Sequence, residues 1–157
     1  SLLLAGKVGN GKSHLAYAGA MDRIAAGHGL MVLDEKALQS GLMADFWSPE
    51  YTEARARIVR AAEATMLLWD DMAFQPARHK GDRQAEVAMP DRLVSEIAHL
   101  VEQRYSHQRP MLITTNASPE GLARRLGDAV AGRILEMCEQ RIEFVGYDWR
   151  RTAAEDG

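Results

Sequence analysis

The chain has 157 residues, 46% of them hydrophobic and 26% charged, which suits one globular domain with a packed core. A net charge of −3 excludes a domain that grips nucleic acid by bulk positive charge alone, so DNA contact would need a local basic patch or one assembled across subunits. No apolar run is long enough for a transmembrane helix, and the single cysteine, Cys138, excludes an internal disulfide framework and fits a reducing, cytoplasmic compartment.

Leu2 already reads as mid-strand, and Ser1 is not an initiator Met. The expectation is a single domain over 1–157, cut from a longer chain whose N-terminal part is missing. Residues 2–5 are strand one. Residues 12–26 read as a helix with Tyr17, Ala20, Met21 and Ile24 on one face, closed by Gly27 and Gly29. Residues 30–33 are strand two, followed by a short helix near 36–46. Ser48-Pro49-Glu50 opens a helix as N-cap, first helical residue and first-turn acid, with Tyr51, Ala54, Ile58 and Ala61 on its apolar side. Residues 66–69 are strand three, and 72–89 form a long polar loop of the kind that often carries function. Pro90 starts a helix with Leu93, Ile97, Val101 and Tyr105 as its stripe. Residues 111–114 are strand four, Ser118-Pro119-Glu120 starts another helix, Asp128 caps one that runs to about Cys138, and 141–145 are strand five. From Thr152 the chain reads as a frayed tail. Short apolar runs alternating with helices predict an α/β domain with a mainly parallel sheet.

Gly6-Lys7-Val8-Gly9-Asn10-Gly11-Lys12-Ser13 fits G-x-x-x-x-G-K-[ST] and lies between a predicted strand and a predicted helix. Glycines let the backbone turn tightly, so that successive N–H groups face an anion, and the helix N-terminus adds its positive dipole end. Lys12 would bring a point charge to the β- and γ-phosphates, and the Ser13 hydroxyl could ligate Mg2+. Asn10 also reads as a turn residue, and His14, next to the motif, reads more readily as a packing residue than as a catalyst.

Met66-Leu67-Leu68-Trp69-Asp70-Asp71 reads as a Walker B strand, apolar because both faces are buried. Asp70 would hold Mg2+ directly or through its water, and Asp71 sits where a base or water-positioner is needed. Strand four runs into Asn116, which could orient an attacking water; asparagine before a Ser-Pro helix start is equally good turn chemistry.

With these strand ends in hand, the chain resembles the AAA+ ATPases, and more narrowly the DnaC-type replicative helicase loaders and the IstB-type transposition helpers. The resemblance runs from Leu2 to about Arg151, is strongest over Gly6 to Ala16, GKVGNGKSHLA, and includes MLLWDD and LITTN. It implies a P-loop NTPase three-layer αβα sandwich with five strands in the order 5-1-4-3-2, placing Asn116 between Lys12 and Asp70. It also implies an arginine finger; Arg133 is the matching position, with Arg124 and Arg125 as rivals and a helix-surface ion pair as the plainer reading of Arg133. The implied cofactors are ATP and Mg2+, and the implied partners are a replicative DNA helicase or a transposase, single-stranded DNA, and further copies of the chain. Three departures stand out: Asp71 where the family often has Glu, no adenine-holding segment before strand one, and too little chain after Val145 for a full lid, which leaves Arg150 and Arg151 without a role.

Arg78, His79, Lys80 and Arg83 in the long loop could track a DNA backbone, or simply be solvated. Arg55, Arg57 and Arg60 read as solvated, with Glu53 to Arg57 an i,i+4 pair. The histidines show no metal-ligand spacing, and Cys138 reads as core. Two other functions compete: a P-loop kinase for a small molecule or nucleotide, whose acceptor site the sequence does not show, and a non-catalytic module ordered by ATP.

Overall fold

A computed structural model describes residues 1–73 and 89–146 of the chain. Arg78, His79, Lys80, Arg83, Arg150, Arg151, Thr152 and most of the long polar loop lie outside the described residues, as does the region where a lid would stand.

The order of elements is β1 (Leu2–Gly6), α1 (Lys12–Ala25), β2 (Leu30–Asp34), α2 (Glu35–Leu42), α3 (Pro49–Glu63), β3 (Met66–Met72), α4 (Asp91–Ser106), β4 (Met111–Thr115), α5 (Pro119–Leu126), α6 (Asp128–Met137) and β5 (Gln140–Phe144). The strands form one sheet in the order β2-β3-β4-β1-β5, and every pairing is parallel. That is the expected order read from the other edge. Leu3, Leu67, Trp69 and Ile113 face the larger core, which α2 to α6 cover. Leu4, Leu68 and Leu112 face the opposite side, where Ala16 and Ala20 of α1 pack. Strands buried on both faces explain the unbroken apolar runs.

Serine capping works at both Ser-Pro-Glu sites. Ser48 Oγ accepts from the Tyr51 amide at 3.1 Å, and Ser118 Oγ accepts from the Gly121 amide at 3.1 Å. Tyr51, Ala54, Ile58 and Ala61 are buried as expected, and Cys138 is core, its thiol pushed up to about 11 by burial. The ion pair of Glu53 with Arg57 forms at 3.2 Å and is joined by Arg60 at 2.7 Å.

Four expectations need correction. On α1, Tyr17, Met21 and Ile24 are 41%, 63% and 48% exposed, because the helix meets the sheet through the small side chains of Ala16 and Ala20, one turn apart. Asp128 is not a cap: Gly127, at φ 84°, ends α5 and its carbonyl accepts the first bond of α6 from the Ala131 amide at 3.1 Å. The strand at 66–69 continues to Met72, so both carboxylates lie within β3. On α4, Tyr105 is half-buried with its hydroxyl 2.9 Å from Glu136, while Leu100 and Arg104 complete the buried side.

Arg104 is fully buried, with partners for both terminal nitrogens and none for its Nε. Its guanidinium donates to the carbonyls of Ala61 and Ala64, where α3 ends, and of Pro110, where β4 begins, at 2.5, 3.0 and 2.6 Å. Burial and the neighbouring Arg109 lower its pKa to about 10. One side chain thus closes the carbonyls of Ala61 and Ala64 at the α3 end, which no helical amide can reach, and shares that of Pro110 with the Leu67 amide.

Candidate nucleotide-binding site

The loop between β1 and α1 is held in shape at both ends. At Gly6, with φ 140°, a Cβ would overlap the Phe144 carbonyl oxygen and stand 2.8 Å from Asn10 Nδ2, so only glycine lets the loop pass β5. Gly11 leads into α1 from the left-handed region, at φ 90°. Asn10 is more than a turn residue: it is buried, and its Nδ2 donates to the Phe144 carbonyl at 2.8 Å. Lys12 Nζ donates to the Lys7 carbonyl at 2.7 Å and to Asn10 Oδ1 at 3.1 Å, so the ammonium lies over the loop.

Beside the loop is a cavity of about 680 Å3, lined on one side by Val8, Gly9, Gly11, Lys12, Ser13 and His14. Its other side is formed by Asp71, Met72 and Ala73 of the β3 end, by Asn116 to Ser118, and by Gly121 and Arg124 of α5. His14 is exposed at the cavity rim and not packed in the core, since α1 turns a different face to the sheet.

The tips of β3 and β4 have a specific irregularity. Trp69 pairs with Ile113 and Met72 with Thr115, so Asp70 and Asp71 together stand opposite Thr114. This is a β-bulge, one extra residue on β3. Asp71 takes φ 52° and Ala73 φ 61°, unusual for residues with side chains. Thr114 Oγ1 donates to Asp70 Oδ1 at 2.6 Å and accepts from the Asp71 amide at 2.8 Å. Thr115 Oγ1 donates to the Met72 carbonyl at 2.8 Å. Asn116 Nδ2 stands 3.4 Å from Asp71 Oδ1. Asp71 is therefore aimed into the cavity, while Asp70 is held against β4 just behind it.

The carboxylates feel one another. Burial raises the Asp71 pKa and the Asp70 charge raises it further, against the pull of Lys12 and Asn116. Tyr17 is raised by burial and by Asp70, Asp34 and Asp71, so α1 borders an acidic strand edge. Asp34, opposite Asp70 in the sheet, is already engaged as the cap of α2, accepting from the Ala37 amide at 2.7 Å.

The donor set fits magnesium bound with a triphosphate. Ser13 and Asp70 offer hard oxygen ligands, and no group of three or more His, Cys, Asp and Glu capable of enclosing a metal occurs among the described residues. Magnesium characteristically takes one or two carboxylates and completes its shell with phosphates and water.

The predicted residues do not all converge. Lys12, Ser13, Asp71 and Asn116 share the cavity, and Gly6, Lys7 and Asn10 shape it from behind. Arg133 lies elsewhere, its Nε 2.9 Å from Glu102 Oε2 and its guanidinium 5.9 Å from the Tyr105 ring. Of its rivals, Arg124 lines this chain's own cavity, and Arg125 is nearly buried, within the electrostatic reach of Glu35. Thr114 escaped the sequence reading. The available signal was its period-two spacing from Asn116 on a strand running to the site.

A parallel sheet with a cavity at the carboxyl ends of the central strands, a glycine-rich loop leading into α1 and a paired-acid strand matches the P-loop αβα fold of the AAA+ ATPases. No protein-family model and no curated protein sequence matches the chain. Among solved structures, it is similar to the DnaC helicase loader, with a TM-score of 0.68 and 24% identity over 92% of this chain and 77% of that one. It is similar to DnaI with a TM-score of 0.71 and 17% identity, over 94% of this chain and 71% of that one. The replication initiator DnaA, bound to AMPPCP and single-stranded DNA, matches with a TM-score of 0.69 and 16% identity over 93% of this chain. The chain spans only 40% of that initiator's length. No described helix is long and apolar enough to cross a membrane.

Proposed function

We propose that the domain binds ATP with Mg2+ and hydrolyses it slowly, as the nucleotide-driven switch of a replicative helicase loader. The observation that carries this is the cavity itself: the glycine-rich loop and Lys12 on one wall, Asp71 and Asn116 at the facing strand ends. In this reading Lys12 leaves its loop carbonyl for the β- and γ-phosphates, while the loop amides and the α1 N-terminus hold the remaining oxygens. Ser13 and Asp70 hold the metal, which when bound offsets charge on the β- and γ-phosphate oxygens. Asp71, steadied by Asn116, orients the attacking water and takes its proton. Its side chain is one methylene shorter than the glutamate common in such proteins, which favours slow turnover.

Arg133 acts in trans in this reading, exchanging Glu102 for the nucleotide of a neighbouring copy. The DnaA structure that the chain resembles was solved with an ATP analogue, which supports the choice of nucleotide. Identity is 24% with the DnaC helicase loader and 16% with DnaA, which favours a loader over an initiator. Single-stranded DNA and a replicative helicase are then the partners. No feature of the cavity or the fold favours a transposition helper over a loader.

The test is phosphate release by the full-length protein, with and without single-stranded DNA and a candidate replicative helicase. Turnover that rises with either, and is lost in Lys12→Ala, supports the proposal. No nucleotide–magnesium complex with a folded full-length protein ends it. Phosphate transferred to an added nucleoside or nucleotide would instead identify a kinase.

A further inference from the structure

We infer that Thr114 is a positioning residue, whose hydroxyl sets both acidic side chains of the site at once; this deepens the ATPase reading and rests on it. A threonine hydroxyl has one proton to give and two lone pairs to offer. Here the proton goes to Asp70 Oδ1 at 2.6 Å, and a lone pair receives the Asp71 amide at 2.8 Å. Thr114 is fully buried, so its hydroxyl has no contact with bulk water.

The consequence is geometric. In a regular ladder the Asp71 amide would bond to a backbone carbonyl, and successive side chains would face opposite sides of the sheet. Because a side-chain oxygen takes that amide, β3 gains a residue against β4 and Asp71 turns to φ 52°. Both consecutive carboxylates then reach side chains of the β4 tip, Asp70 at Thr114 and Asp71 at Asn116. The bond from Thr114 also occupies one lone pair of Asp70, fixing the carboxylate plane and leaving its other oxygen for a metal or its water. Thr115 continues the same device by bonding the Met72 carbonyl.

The test uses Thr114→Ser, which keeps the hydroxyl, Thr114→Val, which keeps the shape without it, and Thr114→Cys, a weaker donor of similar size. Three quantities are read on the full-length protein: affinity for a fluorescent ATP analogue in EDTA, Mn2+ binding with nucleotide by electron paramagnetic resonance, and the Mg2+ dependence of turnover. Thr114→Val should weaken Mn2+ binding and lower turnover by about 10- to 100-fold, with metal-free nucleotide affinity within about twofold of wild type. Thr114→Ser should restore both to within about threefold, with Thr114→Cys between. If Thr114→Val does not fold, the contrast between Ser and Cys decides. Equal metal dependence across the folded variants overturns the inference, as does a parallel loss of metal-free nucleotide affinity, which marks collapse of the site. Lys12→Ala separates the two levels: wild type failing to bind nucleotide any better than Lys12→Ala removes the ATPase reading and this inference with it. Wild-type binding and turnover with an indifferent Thr114 removes this inference alone.

Discussion

Asn10 donates to the Phe144 carbonyl across 134 residues of sequence and accepts from Lys12 two residues away. The glycine-rich loop is thus tied to the last strand through the same side chain that steadies its lysine. Asn10→Ala removes both bonds and leaves a part-buried carbonyl without its donor, a loss of about 1–2 kcal/mol. We expect ATP affinity to fall about tenfold by isothermal titration, with a lower Tm. Asn10→Asp should bind ATP more weakly still, because its carboxylate cannot donate to Phe144 and competes with phosphate for Lys12. An affinity within twofold of wild type for both variants would mean that the tether is irrelevant to binding.

Arg133 and Glu102 form an exposed pair, 39% and 46% accessible at their side chains. Such pairs contribute between about 0 and 1 kcal/mol, so Arg133→Ala should leave stability nearly unchanged. If the guanidinium serves a neighbouring copy, nucleotide affinity should also persist while hydrolysis by the assembled protein falls by about a thousandfold or more. Glu102→Gln frees the arginine without removing it and should hydrolyse at least as fast as wild type. Normal turnover by Arg133→Ala in the assembled state excludes the trans role.

The parts of the site that were legible in the sequence are contiguous ones. The glycine and lysine spacing of Gly6 to Ser13 is a pattern held within eight residues, so composition and flanking elements suffice to locate it. The Ser-Pro-Glu starts are local for the same reason. Strand order is different in kind, since no periodicity carries it, and here it came from the resemblance. The bulge at Asp71 and the donor role of Thr114 depend on how β3 and β4 align, a relation between segments about 43 residues apart. Arg104 hides likewise, its three carbonyl partners being set by where α3 stops and β4 begins. On α1 the pattern misled because the helix rests on two alanines, and large apolar side chains beside them stay at the surface.

Replacing Arg104 tests the helix-end account. Arg104→Leu fills the space but abandons the carbonyls of Ala61 and Ala64, while that of Pro110 keeps the Leu67 amide at 3.2 Å. Each carbonyl left without a donor inside the fold costs about 1–3 kcal/mol, partly offset by no longer burying a charge, so a net loss of about 2 kcal/mol is expected in urea unfolding. Arg104→Lys should recover only part of it, since a compact ammonium cannot match the planar fork. Both variants should bind nucleotide normally below their unfolding transition, because Arg104 lies at the opposite end of the strands from the cavity. Loss of less than about 1 kcal/mol in Arg104→Leu would show that the carbonyls find other partners.

Glu35 gives stability a pH dependence with a defined sign. Its carboxylate is fully buried, accepting from Trp69 Nε1 at 2.6 Å and from Gln39 Nε2 at 3.1 Å. Burial raises its pKa above the ordinary 4.5 even though both bonds and the Arg125 charge favour ionisation. The folded state therefore holds this proton at pH values where the unfolded chain has released it. Stability from this group is fully present below the unfolded value of 4.5 and is lost as pH rises through the higher folded value. Glu35→Gln keeps an acceptor for Trp69 and removes the titration. The wild-type urea midpoint, minus that of Glu35→Gln, should accordingly decline over the pH range above the unfolded value of 4.5, cancelling the contribution of all other carboxyls common to both proteins. A difference that stays flat across this range, or grows with pH, would mean that the Arg125 charge and the two hydrogen bonds outweigh burial, and that Glu35 folds as an ionised partner.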